Sequence, residues 1–424
     1  MFKSFVKATA VYGLGTIAAG LIGFAFLPVF TRLLSPDDFG MLGVLASTLG
    51  VLTVIVGLNP VIFFTEKYSV LPHEDLKAYT GVALVLTTVT SAAAFAALVT
   101  ASSVFDGFPV SGVVCAALVA MAALKVVQSL VLTFFVVQKR PFAYSIVQCL
   151  TVGVGAAVAL ALIYVTPLDD WRGRFAGDLI GWSVLSTVLL VYLFRADLVG
   201  FGFRREHVKR YLWYTGPLVI HALGFWAINA QDRYFVAGMA GLDAAGLYQV
   251  AYSFANILNL AHSAAARAFN PYFFENARKE EGKREIVVMS YSYFALSGLA
   301  LVVFVIGAKW LLPVVVGEKF HGAEQFILWL SVGYTFNSIR NFVAGYLYIA
   351  GRTRLLAGLT LIAAVINSVA NYVFISWFGA IGAAMATALA FAFLALVTSY
   401  FAIKSHPMPW LAGLKWGIGR ITRR

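Results

Sequence analysis

Charge is what this sequence has least of. Only 12% of its 424 residues are Asp, Glu, Lys or Arg, where a soluble domain carries about a quarter. That shortage excludes an ordinary water-soluble fold. Acid is the scarcer sign, with 19 Asp and Glu against 31 Lys and Arg. None of the acids falls in the first apolar stretch, 8–31. The two cysteines, Cys115 and Cys149, both sit in apolar segments, which excludes a disulfide framework and a cysteine metal site. Long polar stretches are also missing. "TPLDDWRGRFAG" (166–177), "RADLVGFGFRREHVKR" (195–210) and "YFFENARKEEGKRE" (272–285) are the longest. None can house a catalytic domain, and neither a nucleotide-binding loop nor a catalytic constellation is present.

What is there is apolar. Hydrophobic residues make up 61% of the chain and the mean hydropathy is +0.85. A spanning helix needs roughly 20 mainly apolar residues. Twelve segments qualify: 8–31, 40–65, 79–101, 110–137, 143–166, 175–194, 212–238, 244–270, 287–312, 323–350, 355–377 and 379–403. The first is read as a retained helix, because it is too long for a signal-peptide core and no small-x-small cleavage site follows it. The net charge of +12 has a location. With both termini in the cytoplasm, about 22 of the 31 Lys and Arg lie on that side, about 5 on the other and 4 inside helices, as the positive-inside rule requires. This topology signal accounts for the basic balance without nucleic acid as a partner. The tail "PWLAGLKWGIGRITRR" mixes Trp410, Trp416 and Ile421 with basic residues, the pattern of an interfacial helix on the anionic cytoplasmic leaflet.

The chain repeats itself weakly. "LSPDDFGML" (34–42) and "AGLDAAGLY" (240–248) share D-x-x-G. "VVQKRPF" (136–142) matches "IAGRTRL" (349–355), and "RGRFAGDLIG" (172–181) matches "FGAIGAAMAT" (378–387). Six helices per half is an even number, so both halves have the same orientation. The expectation is an all-α polytopic membrane protein: about 12 transmembrane helices in two six-helix bundles related by a parallel pseudo-twofold. Its parts are a bundle over 1–200, a cytoplasmic linker over 201–211, a bundle over 212–403 and a basic tail over 404–424. Such duplicated bundles hold substrate near the midplane between the halves and alternate access. Asn59-Pro60 and Gly216-Pro217 are candidate bends, because proline removes a backbone hydrogen bond.

Charges inside the apolar segments carry the functional reading. A charge at mid-bilayer costs roughly 2.5–3.5 kcal/mol even on insertion scales, so it faces a bundle interior or a wet cavity. Lys125 and Arg340 are mid-helix and occupy matching places in the repeat, with no acid three or four residues away. They are the first candidates for substrate contact, in a cationic cavity. Arg233, Arg267 and Arg32 join them. Asn256, Asn259, Ser263 and Arg267 form a stripe at helical spacing, and Tyr334, Asn337 and Asn341 repeat it. His221 and Asp232 are candidates for proton or ion coupling, although Asp232 and Arg233 equally read as a local structural pair. Asp232 is the one plausible intramembrane acid, since Asp178 lies near a helix end, and a single acid cannot neutralise all these cations. Cations and amides around one cavity suit an anion rich in hydroxyls, because arginine meets phosphate oxygens with a planar fork of donors. Tyr248, Tyr252, Phe336, Tyr346 and Tyr348 are candidates to stack on sugar faces or to pack. No metal and no cofactor is expected.

Three stretches bring a family into view: "LPVFTRLLSPDDFGMLGVL" (27–45), "DRYFVAGMAGLDAAGLYQVAYSF" (232–254) and "GRTRLLAGLTLIAAVINSVANYVFISWFGAIGAAMATALA" (351–390). They resemble the polysaccharide-transport, Wzx-type flippases of the superfamily that also contains multidrug (MATE) exporters. Arg32, Asp37, Gly40, Asp232, Asp243, Gly246, Tyr248, Asn367, Asn371, Gly379 and Gly382 match recurring family positions, most of them architectural. The resemblance implies a MATE-like fold, no enzyme activity, and translocation of an undecaprenyl-diphosphate-linked oligosaccharide across the bacterial inner membrane. A polysaccharide polymerase or co-polymerase would be the protein partner. A cation-coupled multidrug antiporter is the alternative, weakened by the acid-free first helix. A polymerase or ligase is the second, weakened by the absence of a large external loop.

Overall fold

The computed structural model describes residues 2–104, 111–277 and 279–410. Those residues form fourteen α-helices and one short 3-10 helix, with no strand among them. In chain order they are α1 (Phe2–Leu33), α2 (Pro36–Gly57), α3 (Pro60–Lys67), α4 (His73–Val104), α5 (Gly112–Val137), α6 (Pro141–Val165) and α7 (Trp171–Arg195). Then come α8 (Arg205–Ala230), α9 (Asp232–Ala240), α10 (Leu242–Asn276), α11 (Glu280–Val315), the 3-10 turn (Glu318–Ala323), α12 (Glu324–Ile349), α13 (Thr353–Phe378) and α14 (Ile381–Ser405). Among the described residues, nine helices are long and apolar enough to cross a membrane. Three more, α8, α10 and α12, have the length but are diluted by polar residues. Those three carry His221, Asn229, Asn256, Asn259, Asn337 and Arg340. The tail helix expected over 404–424 falls largely on 411–424, outside the described residues.

Two expected bends resolve differently. The segment 40–65 breaks at Leu58 and Asn59, both left-handed with φ of 52°, a conformation that costs a non-glycine residue roughly 1–2 kcal/mol. Pro60 has no N–H for the carbonyl of Val56, one turn back. The hydroxyl of Thr90 on α4 donates to that carbonyl at 2.8 Å instead. Gly216-Pro217 does not break its helix. α8 continues through Pro217, and the interruption comes at Gln231, between α8 and α9.

The repeats have physical content. α5 and α12 end in the same turn: the residue after the cap is left-handed (Lys139 at 57°, Gly351 at 68°). The next amide reaches back to the fifth residue before it, Arg140 to Phe135 at 2.8 Å and Arg352 to Leu347 at 2.9 Å. This is the Schellman closure of a helix C-terminus. The two D-x-x-G motifs meet. A Cβ on Gly40 would lie 1.9 Å from the Leu242 carbonyl oxygen, and one on Gly246 would lie 1.8 Å from that of Pro36. Only glycine permits this reciprocal crossing.

Contacts divide the chain into two compact units: Met1–Phe26 with Met41–Trp226, and Leu27–Gly40 with Ala227–Arg424. This division differs from boundaries at 200 and 212. Residues 201–211 belong to the first unit, where Tyr211 is fully buried. In that unit α6 and α7 approach through Gly155, Gly177 and Gly181. A Cβ on Gly177 would lie 2.3 Å from the Cα of Ala159, the small-residue packing of membrane helices. In the second unit α12 packs against α10, α11 and α14 and is buried along most of its length. Leu27–Gly40 joins that unit because Phe39 packs edge-on against Phe320 and Lys319 donates to the Leu34 carbonyl at 3.2 Å.

Candidate functional site

In the first unit the chemistry centres on Lys125 of α5. It is half-buried, and its ammonium lies 4.6 Å from the centroid of the Trp182 ring on α7. Asp178, one turn before Trp182, acts on Lys125 electrostatically and pairs with Arg174 at 3.3 Å. The carboxylate fits because position 155 is glycine: a Cβ there would lie 2.8 Å from Asp178 Oδ1. Asp178, set aside in the sequence as lying near a helix end, is therefore the acid that acts on Lys125. Sequence spacing contained the signal in Gly173, Gly177 and Gly181, one helical turn apart and flanking Asp178, but proximity to a helix end hid it.

In the second unit Asp232 and Arg233 open α9 and are 1% and 4% exposed. The guanidinium lies 3.8 Å from the centroid of Tyr252, and its Nε donates to Gln249 at 3.3 Å. Its Nη1 donates to the Asn229 carbonyl and lies 3.5 Å from Asp232. Asp232 accepts from the Tyr248 hydroxyl and from Thr387 at 3.1 Å. Tyr248 is fully buried, as is Tyr346, so both are packing residues and not sugar platforms. Phe336 packs into a cluster with Ile228, Leu359 and Phe391.

Arg340 lies half-buried on α12, where one Nη donates to Asn337 at 3.4 Å. Asn337 is buried and Asn341 exposed. Next to them Phe342 is sandwiched between Phe269 and Tyr293, at centroid distances of 4.2 and 4.7 Å. Asn256 and Asn259 hydrogen-bond to one another at 3.0 Å on α10. The Arg267 side chain lies outside the described residues. His221 is exposed on α8. Arg32 donates to the Val314 and Val315 carbonyls at 3.1 Å, closing the last turn of α11, where a cation is favoured.

One polar cluster was absent from the candidate set. At the α8–α9 interruption, the Gln231 amide donates to Asn367 at 2.8 Å and to Ser368 at 2.9 Å, and Asn371 donates to Asn367 at 3.1 Å. Two asparagines one turn apart in an apolar helix were the available signal. The described residues contain no group of three or more side chains able to hold a metal ion.

The profile of the family described as polysaccharide biosynthesis protein matches residues 5–277. The chain belongs to that family. A protein of the Lsg locus of Haemophilus influenzae is 20% identical over 382 residues, 85% of this chain and 88% of the relative. An uncharacterised membrane protein of the same organism is 24% identical over 361 residues, 83% and 85% of the two chains. Two solved structures of a multidrug resistance MATE family transporter of the MOP superfamily are similar in fold. The inward-facing one has a TM-score of 0.62 at 15% identity and covers 95% of this chain and 94% of its own. The outward-facing one has 0.59 at 15% identity, covering 95% of each. This polysaccharide biosynthesis family member is thus an all-α, multi-pass membrane protein with a MATE-like fold. Its half-buried cations, Lys125 and Arg340, are the groups that could meet an anion.

Proposed function

We propose that the protein flips an anionic, lipid-linked oligosaccharide from the cytoplasmic to the periplasmic leaflet of a bacterial inner membrane, with both termini cytoplasmic. The single observation behind this reading is the pair of half-buried cations inside apolar helices, Lys125 and Arg340, in a polysaccharide biosynthesis family chain. Their charges suit a diphosphate, and the neutral amides of Asn337 and Asn341 suit sugar hydroxyls. The cargo is an O-antigen, capsule or exopolysaccharide repeat unit on undecaprenyl diphosphate. The protein acts by alternating exposure of the site to the two sides, with no covalent step, and delivers to a polymerase.

Export of glycan in cells, measured beside the monodisperse amount of each variant, tests the reading. Arg340→Ala is expected to abolish export while the folded amount holds. Arg340→Lys retains part, because lysine keeps the charge but loses the fork. Full export by well-folded Arg340→Ala would overturn the anionic cargo. Drug efflux by a chain that cannot support glycan export would turn the reading to a multidrug antiporter.

A further inference from the structure

α11 is the least buried of the nine apolar helices, with 11% of its apolar stretch inside the protein. A hollow of about 620 Å³ lies between its C-terminal part and the start of α12. Val305, Ile327 and Leu328 line it with apolar surface, and Lys309, His321, Glu324 and Gln325 supply its polar side chains, the Gln325 amide donating to the Gly322 carbonyl. Trp310, 77% exposed beside Lys309, marks this level as a membrane–water interface. Val302 and Ile306, 55% and 58% exposed, extend the apolar surface of α11 further along the helix.

The charges in the hollow are opposite and loosely engaged. Lys309 Nζ is 3.9 Å from Glu324 Oε1, and the two side chains are 70% and 49% exposed. A close charged hydrogen bond is about 2.7–2.9 Å long, so each group retains capacity for another ion. We propose that this hollow binds a zwitterionic phospholipid with a primary amine, its phosphate on Lys309 and His321 and its ammonium on Glu324. The acyl chains lie along Val305, Ile327 and Leu328. Glu324 disfavours a headgroup with negative charge only. A quaternary ammonium prefers an aromatic cage, and Trp310 lines a different, apolar hollow with Phe254 and Phe304.

Native mass spectrometry of the full chain in detergent, with added phosphatidylethanolamine, phosphatidylcholine or phosphatidylglycerol of identical chains, tests this. Phosphatidylethanolamine should be retained about three-fold better than either other lipid, the scale of one exposed ion pair. Lys309→Gln and Glu324→Gln should each erase that preference. Lys309→Glu combined with Glu324→Lys should restore it, because a zwitterion can turn around. Equal retention of the three lipids, preference for phosphatidylglycerol, unchanged single variants or a swapped pair that fails to restore would each overturn the proposal. If the neutralised variants aggregate, bromine-labelled lipids on the native chain decide, with Trp310→Phe giving the Trp310 contribution by difference. Stronger quenching by phosphatidylethanolamine than by phosphatidylcholine supports the site, and equal quenching overturns it.

Discussion

Lys125 in the first unit and Arg233 in the second are both cations among apolar helices, and both lie over an aromatic ring. Their surroundings separate them. Arg233 is 4% exposed, its partners are Asp232, Gln249, Asn229 and Tyr252, and Asp232 is itself held by Tyr248 and Thr387. Lys125 is half-buried, over Trp182 and near an acid shared with Arg174. A charge closed on all sides by its own chain holds helices together. A charge left partly open can serve a ligand. Intramembrane position alone therefore does not mark a substrate contact, and the completeness of local pairing is the better guide.

The strongest way to break this comparison is Asp232→Ala. Removing one partner of a buried ion pair costs about 3–5 kcal/mol, because the other charge is left uncompensated. Folded, monodisperse protein and glycan export should fall together. Normal folding with selective loss of export would move Asp232 from the architectural group to the transport group. Lys125→Ala should do the opposite, lowering export while melting of the purified protein barely changes. Its effect on export should be smaller than that of Arg340→Ala, because lysine offers a phosphate a point charge and not arginine's planar fork of donors. Melting that falls as far as it does for Asp232→Ala would erase the distinction.

Thr90→Val sharpens the same logic without any charge. It leaves the buried Val56 carbonyl without the donor that replaces the missing Pro60 N–H, at about 1–3 kcal/mol. The melting temperature should drop, whereas Thr88→Val, whose hydroxyl bonds only within its own helix, should be nearly neutral. The smallest effect is expected at the exposed end of the scale. Lys77, hydrogen-bonded to Asp197, holds that carboxyl below its ordinary value of 3.8. A depressed carboxyl contributes stability above its unfolded value and loses it as the pH falls through the folded one. Asp197→Asn should therefore lower the melting temperature slightly at neutral pH, with the difference from wild type vanishing in acid. A gap that persisted in acid would assign Asp197 a packing role.

Much of this was legible along the chain. Runs of about twenty apolar residues require helices that satisfy their own backbone in lipid, which determined the all-α, multi-pass class. The D-x-x-G pairs and the 136–142 and 349–355 turns recorded the repeat, because a left-handed residue or a close crossing restricts residue choice locally. Lys125 and Arg340 stood out for the same one-dimensional reason: they are cations in apolar text. Which partners these charges find belongs to tertiary structure. Lys125 meets Trp182 and Asp178 because α5 packs on α7, and Gly155 on α6 leaves room for the Asp178 carboxylate. Arg32, equal to the others in sequence, is spent on the carbonyls of α11. Gln231, Asn367 and Ser368 become one cluster across helices far apart in the chain. Periodicity and composition act within a helix, so the sequence by itself determined the elements and their charges. Pairing depends on which faces meet, and only packing decided that.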